Sequence, residues 1–162
     1  MSPERHIARD ISYAHAGRST VARGLIRCLE NGTGRLGLMR RARGYQQELA
    51  QGRDFWQLML ERYGLSLQIL AGSLDHIPRQ GSLILVANHP FGILDGLVMG
   101  HLLAQIRGDF RILAHQVFRK SADLNRVILP ISFETTRDAV QLNLDTRAQA
   151  LRYLQQGGAV GG

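Results

Sequence analysis

The residues best placed to do chemistry lie in one short stretch, Asn88-His89-Pro90-Phe91-Gly92-Ile93-Leu94-Asp95-Gly96. It follows the apolar run Leu83-Ile84-Leu85-Val86-Ala87, which reads as a buried parallel strand. A strand of that kind delivers His89 to its carboxyl end, where α/β sheets place their ligand crevices. Pro-Phe-Gly can fold back, so Asp95 is expected to reach the imidazole from the start of a following helix. A carboxylate accepting from one ring nitrogen would fix the tautomer and free the other nitrogen to take a proton. No serine or cysteine adjoins the pair, so a substrate hydroxyl becomes the attacking group. Bland readings stay open beside this one. Asn88 can cap the corner, Gly92 can meet a special backbone angle, and Asp95 can favour a helix dipole.

The elements around this corner follow from periodicity and punctuation. Residues 1–20 are polar and without a clear period. Val21, Leu25, Ile26 and Leu29 recur at helical spacing over residues 20–30, and the glycine-rich residues 31–37 read as a turn. A longer helix is predicted over residues 45–63, ended by Gly64. Residues 65–70 alternate and predict a strand. After a turn at residues 76–81 come the strand at 83–87, the corner at 88–92 and a helix over 93–106. Strand 110–114, a helical stretch at 117–124, strand 127–133 and a helix over 142–156 follow. Pro130 favours an edge or a bulge in its strand. Ala159-Val160 reads as the start of another buried strand, so the chain is expected to stop inside a domain. The alternation from residue 65 onward predicts an α/β layer fold with a largely parallel sheet flanked by helices, preceded by an N-terminal helical segment. The expected organisation is a basic helical segment over residues 1–64 and the N-terminal part of an α/β domain over 65–162.

Asn-His-Pro-Phe-Gly-Ile-Leu-Asp-Gly resembles the first block of the glycerolipid and lysophospholipid acyltransferase superfamily, which includes 1-acylglycerol-3-phosphate acyltransferases. It is most similar to the branch with an N-H-P-x-G-x-x-D/E-G block, found in lyso-ornithine-lipid acyltransferases and hemolysin-like proteins. The main superfamily has four residues between His and Asp; here residues 90–94 make five, as in that branch. The resemblance implies His89 as general base and Asp95 as the residue that orients it, with Asn88 and Gly92 at the substrate. It implies Arg137, after Leu129-Pro130-Ile131-Ser132-Phe133-Glu134-Thr135-Thr136, as the arginine that holds the acceptor's phosphate. It further implies a thioester donor, acyl-CoA or acyl carrier protein, a lysolipid acceptor and no bound cofactor or metal. The family's third block, a Phe-Pro-x-Gly turn, does not occur in the chain. An incomplete acyltransferase domain, inactive by itself, is the resulting expectation.

Charge adds a partner. The 162 residues carry a formal charge of +7, which calls for an anionic counterpart. Arg35, Arg40, Arg41 and Arg43, with Leu36, Leu38 and Met39 among them, form the densest cluster and predict a foothold on anionic lipid. No apolar run approaches the roughly 20 residues of a spanning helix. The expectation is a peripheral protein at the cytoplasmic face of the inner membrane. The single Cys28 fits a reducing compartment. His6, His15 and His76 show no metal-ligand spacing with one another or with Cys28. A noncatalytic lipid-binding fragment of the same fold is the alternative reading. A nucleic-acid module would need basic residues interleaved with aromatics, and no such pattern occurs, so no nucleic-acid partner is expected.

Overall fold

The computed structural model describes Arg41 and residues 44–162, with Lys120 described by its backbone alone. The predicted helix at 20–30, the turn at 31–37, and Arg35, Arg40 and Arg43 lie outside the described residues. Two compact units divide between Arg53 and Asp54.

In the first unit helix α1 spans Tyr45–Ala50, and Arg53 closes back on it through an ion pair with Glu48 at 2.6 Å. The single helix predicted over 45–63 is in fact two. Gly52 takes a left-handed φ of 87°, and the Asp54 side chain accepts from the Gln57 N–H at 2.9 Å, capping a new helix. This helix, α2 (Phe55–Tyr63), belongs with the sheet unit and ends on Gly64 in the left-handed conformation, as its position predicts.

Residues 65–70 form no strand; they run irregular and largely exposed, with Leu70 87% accessible. Alternation alone cannot make a strand that no neighbouring strand pairs with. The regular α/β part begins at β1 (Leu83–Leu85). Then come α3 (Ile93–Ile106), β2 (Arg111–His115), a 3₁₀ turn at Gln116–Lys120 and the short helix α4 (Ala122–Asn125). Strand β3 (Ile128–Ile131), helix α5 (Arg137–Gln155) and β4 (Ala159–Gly161) complete it. Helix α5 begins five residues before the predicted 142, because the Thr136 hydroxyl accepts from the Ala139 N–H and caps it there.

The sheet is four-stranded and wholly parallel, in the order β1-β4-β2-β3. Val160 and Gly161 are successive residues of β4 and so face opposite sides. Val160 joins Leu129 and Ala150 in the core under α5, with Leu113, Tyr153 and Leu154 against it. On the other side a Cβ at Gly161 would lie 2.6 Å from Met99 Sδ and 2.9 Å from Leu103 Cδ1, so α3 packs hard on the glycine. The two helices therefore cover opposite faces. Right-handed crossovers require this when β1→β2 and β3→β4 run in opposite directions across the sheet.

Pro130 sits in the edge strand β3, as its missing N–H demands, and its carbonyl accepts the buried Thr146 hydroxyl at 2.6 Å. The expectation for β1 needs correction: it is parallel but not buried. With β4 on one side and, among the described residues, no strand on the other, Ile84 is 64% and Val86 77% exposed.

Helices α2 and α3 meet through an indole. Trp56 packs edge-on to Phe55 at 5.0 Å and beside Phe110 at 5.7 Å, and a Cβ on Gly100 would overlap its ring. Gly100→Ala should gain about 1 kcal/mol of helix propensity. Overpacking against the rigid ring costs about 1–3 kcal/mol, so the clash wins. A lowered melting temperature is the expected result, and an unchanged or raised one would show that Trp56 is free to move.

Candidate active site

The corner after β1 is built largely from backbone. Gly162 donates to Leu85 O at 3.0 Å and Ala87 donates to Gly162 O at 3.2 Å, so parallel pairing continues to Ala87. Beyond it the chain leaves the sheet, carrying Asn88 and His89, both exposed. A turn closes from Gly92 N–H to His89 O at 3.4 Å. Gly92 holds φ 60° and ψ −114°, a region closed to L residues, although nothing lies within 4 Å of where its Cβ would be. The glycine is required by conformation, not by space.

Asp95 stands half-buried in the first turn of α3. Its Oδ2 accepts from the Phe91 N–H at 2.7 Å. Among the described residues no hydrogen bond or ion pair joins it to His89. The expected carboxylate–imidazole contact is thus replaced by a carboxylate that ties down the Pro-Phe-Gly turn carrying the histidine. A charged acceptor on an exposed N–H just outside a helix start also opposes the helix dipole, which explains the preference for this partner.

Asn88, His89, Gly92 and Asp95 therefore share one corner at the carboxyl edge of the sheet. Arg137 is at that edge too, as the exposed first residue of α5. It follows β3, and β1 and β3 are opposite edges of the sheet. Three strand spacings, about 14 Å, separate the two strands. Among the described residues no hydrogen bond or ion pair joins Arg137 to His89. Arg41 is exposed in the first unit.

His115 ends β2 at the same edge. Its Nδ1 accepts from the Val117 N–H at 3.3 Å, and its ring stacks on Phe133 at 5.8 Å. His101 is half-buried on α3 and His76 lies exposed in a 3₁₀ turn.

At the opposite end of the strands is a group that the sequence reading missed. Arg107, just past α3, donates to Pro78 O at 3.0 Å, to Gly81 O at 2.7 Å and to Gly157 O at 2.7 Å. It gathers the turns that lead into β1 and β4. Beside it, burial and then the Asp109 carboxylate push the Tyr153 hydroxyl up to about 12 from an ordinary 10.0. A raised tyrosine stabilises the fold in full below pH about 10 and loses that contribution as pH rises toward 12. Stability should therefore fall more steeply above pH 10 in the parent chain than in Tyr153→Phe. Parallel profiles in denaturant melts would rule this out.

Comparison with protein-family models, with curated proteins and with solved structures finds no match to the chain. Among the described residues no helix is long and apolar enough to cross a membrane.

Proposed function

We propose that this chain carries the general-base corner of an acyltransferase that moves a fatty acyl group from a thioester to the hydroxyl of a lysolipid. One observation supports it above the rest. His89 is exposed at the carboxyl end of a parallel strand, on a turn braced by the Asp95 carboxylate and shaped by Gly92. Val86 at 77% and Phe91 at 72% exposure add apolar surface to the segment that carries His89, which suits a lipid substrate.

In the proposed step His89 accepts the acceptor's hydroxyl proton as its oxygen attacks the thioester carbonyl carbon. The new C–O bond forms, the C–S bond breaks, and the imidazolium returns its proton to the departing thiolate. Asp95 acts here as a positioning residue, holding the turn through Phe91. Arg137 takes no part in the proton transfer. Acyl-CoA or acyl carrier protein supplies the thioester, and the setting is an anionic membrane surface at the cytoplasmic side of the inner membrane.

The engagement of Asp95 by backbone favours a second reading, a noncatalytic lipid-binding relative. An acyl-transfer assay on the natural gene product, with lysophosphatidate and lyso-ornithine lipid offered side by side, separates the two. Labelled diacyl product from either acceptor supports catalysis. Retention on lysolipid vesicles with no product would sink it.

A further inference from the structure

We infer that the arginine-lined cleft at the amino-terminal end of the sheet binds a phosphorylated small molecule. This goes beyond the acyl-transfer reading, because the cleft lies at the end of the strands away from His89.

The cleft consists of two adjoining hollows of about 360 and 260 Å³ that share Tyr153 and Gln156. Together they approach the size of small-ligand pockets. Arg79 and Arg107 line the first with Asp109, and Arg111 and Arg152 line the second. The whole unit from Asp54 to Gly162 has ten basic and nine acidic residues, a net charge of +1. Four arginines against one aspartate give the cleft lining a net of +3, so the rest of the unit carries −2. Positive charge is therefore concentrated in one concave surface of a nearly neutral unit, where it focuses the field.

The protein does little to offset that charge. Arg111 meets Asp109 at 3.3 Å and lies over the Tyr153 ring at 4.6 Å. Arg107 spends its donors on three carbonyls and pairs with no carboxylate among the described residues. The side chains of Arg79 and Arg152 have no hydrogen bond or ion pair there. The Tyr153 hydroxyl is buried at the cleft wall near the Asp109 carboxylate, but no hydrogen bond of good geometry holds it. Arg107, as well as holding carbonyls, meets the dipole of the α3 C-terminus, and Arg152 sits in the last turn of α5. That role does not extend to Arg79 or Arg111, which stand outside helices. Guanidinium forks and a phenol hydroxyl match the oxygens of a phosphate or diphosphate, and the four arginines outweigh the repulsion that the single Asp109 carboxylate exerts on any anion. The multiple charges of a diphosphate answer an excess of +3 better than a single carboxylate does.

Calorimetric titration of the chain with inorganic pyrophosphate, at ionic strength held constant with sodium chloride, tests this. One saturable site is expected. Arg79→Ala and Arg152→Ala should each weaken it roughly tenfold, the loss of one charge-assisted contact. Neither side chain makes a hydrogen bond or ion pair among the described residues, so their melting temperatures serve as the folding control. Arg119→Ala, outside the cleft, and His89→Ala should bind as the parent does. Amide resonances of Gly157 and Gly158 should shift on titration. The absence of saturable heat overturns the inference, and so does an equal loss with Arg119→Ala. Loss of binding in His89→Ala would place the anion at the other end of the sheet and overturn it too. Because no acyl transfer is measured, failure of the catalytic reading leaves this result untouched.

Discussion

His89→Ala should lower the rate of acyl transfer by about 10²–10⁴-fold, the usual contribution of a placed general base, and leave stability within about 0.5 kcal/mol of the parent. The two halves of this expectation come from the same fact. The imidazole is exposed and makes no side-chain hydrogen bond among the described residues, so its removal opens no cavity and orphans no partner. A structural histidine would show the reverse, a loss of stability with activity tracking the folded fraction. His89→Gln keeps the size and some hydrogen bonding but cannot accept a full proton, so it should be nearly as inactive. Rates within a factor of about three of the parent for both variants, measured on the natural gene product, would remove His89 from the mechanism. Asp95→Asn should be milder, because an amide oxygen still accepts from the Phe91 N–H that holds the turn.

Arg107→Ala is the substitution expected to cost most stability. Three carbonyls, 26 to 50 residues distant along the chain, lose a charged donor. A hydrogen bond from a charged group contributes about 1.5–3 kcal/mol when desolvated. Two of the three are exposed here and are worth less, so a total near 3 kcal/mol is the reasonable figure. Against the 5–15 kcal/mol that typically separates native from unfolded states, that is a large fraction. The melting temperature should fall by about 10 °C. Arg107→Lys keeps the charge but has no planar fork to bridge the turns at Gly81 and Gly157, and should recover less than half of the loss. A melting temperature within about 2 °C of the parent for the alanine variant would show that the turns hold without it.

Much of the local structure could be read along the chain. The helix at 93–106 was predicted to the residue, since an apolar run opens after Gly92 and closes before Gly108. Pro130 announced an edge strand through the donor it lacks. The run Leu83–Leu85 followed by Asn88 and His89 placed a histidine at a strand's carboxyl end, and it is there. The misreadings were also local in origin. The alternation of residues 65–70 carried no information about whether a partner strand existed. The polar break at Gly52–Asp54 is hidden in the sequence because the apolar positions on either side keep one helical phase.

Periodicity, caps and turn residues act within a few positions, so they are written where they are used. The alternation of helix and strand, the corner that presents His89 and the net positive charge belong to that class. Which strands lie side by side is a different matter. β4 enters between β1 and β2, and with right-handed crossovers running opposite ways α3 and α5 then cover opposite faces. In that order β1 and β3 are the two edges of the sheet, with Ile84 exposed, so His89 and Arg137 follow opposite edge strands. The same order also brings Arg79, Arg107, Arg111 and Arg152 around one cleft from three separate stretches of chain. No spacing along the chain encodes such a meeting, because it depends on contacts closed across dozens of residues only when the layers pack.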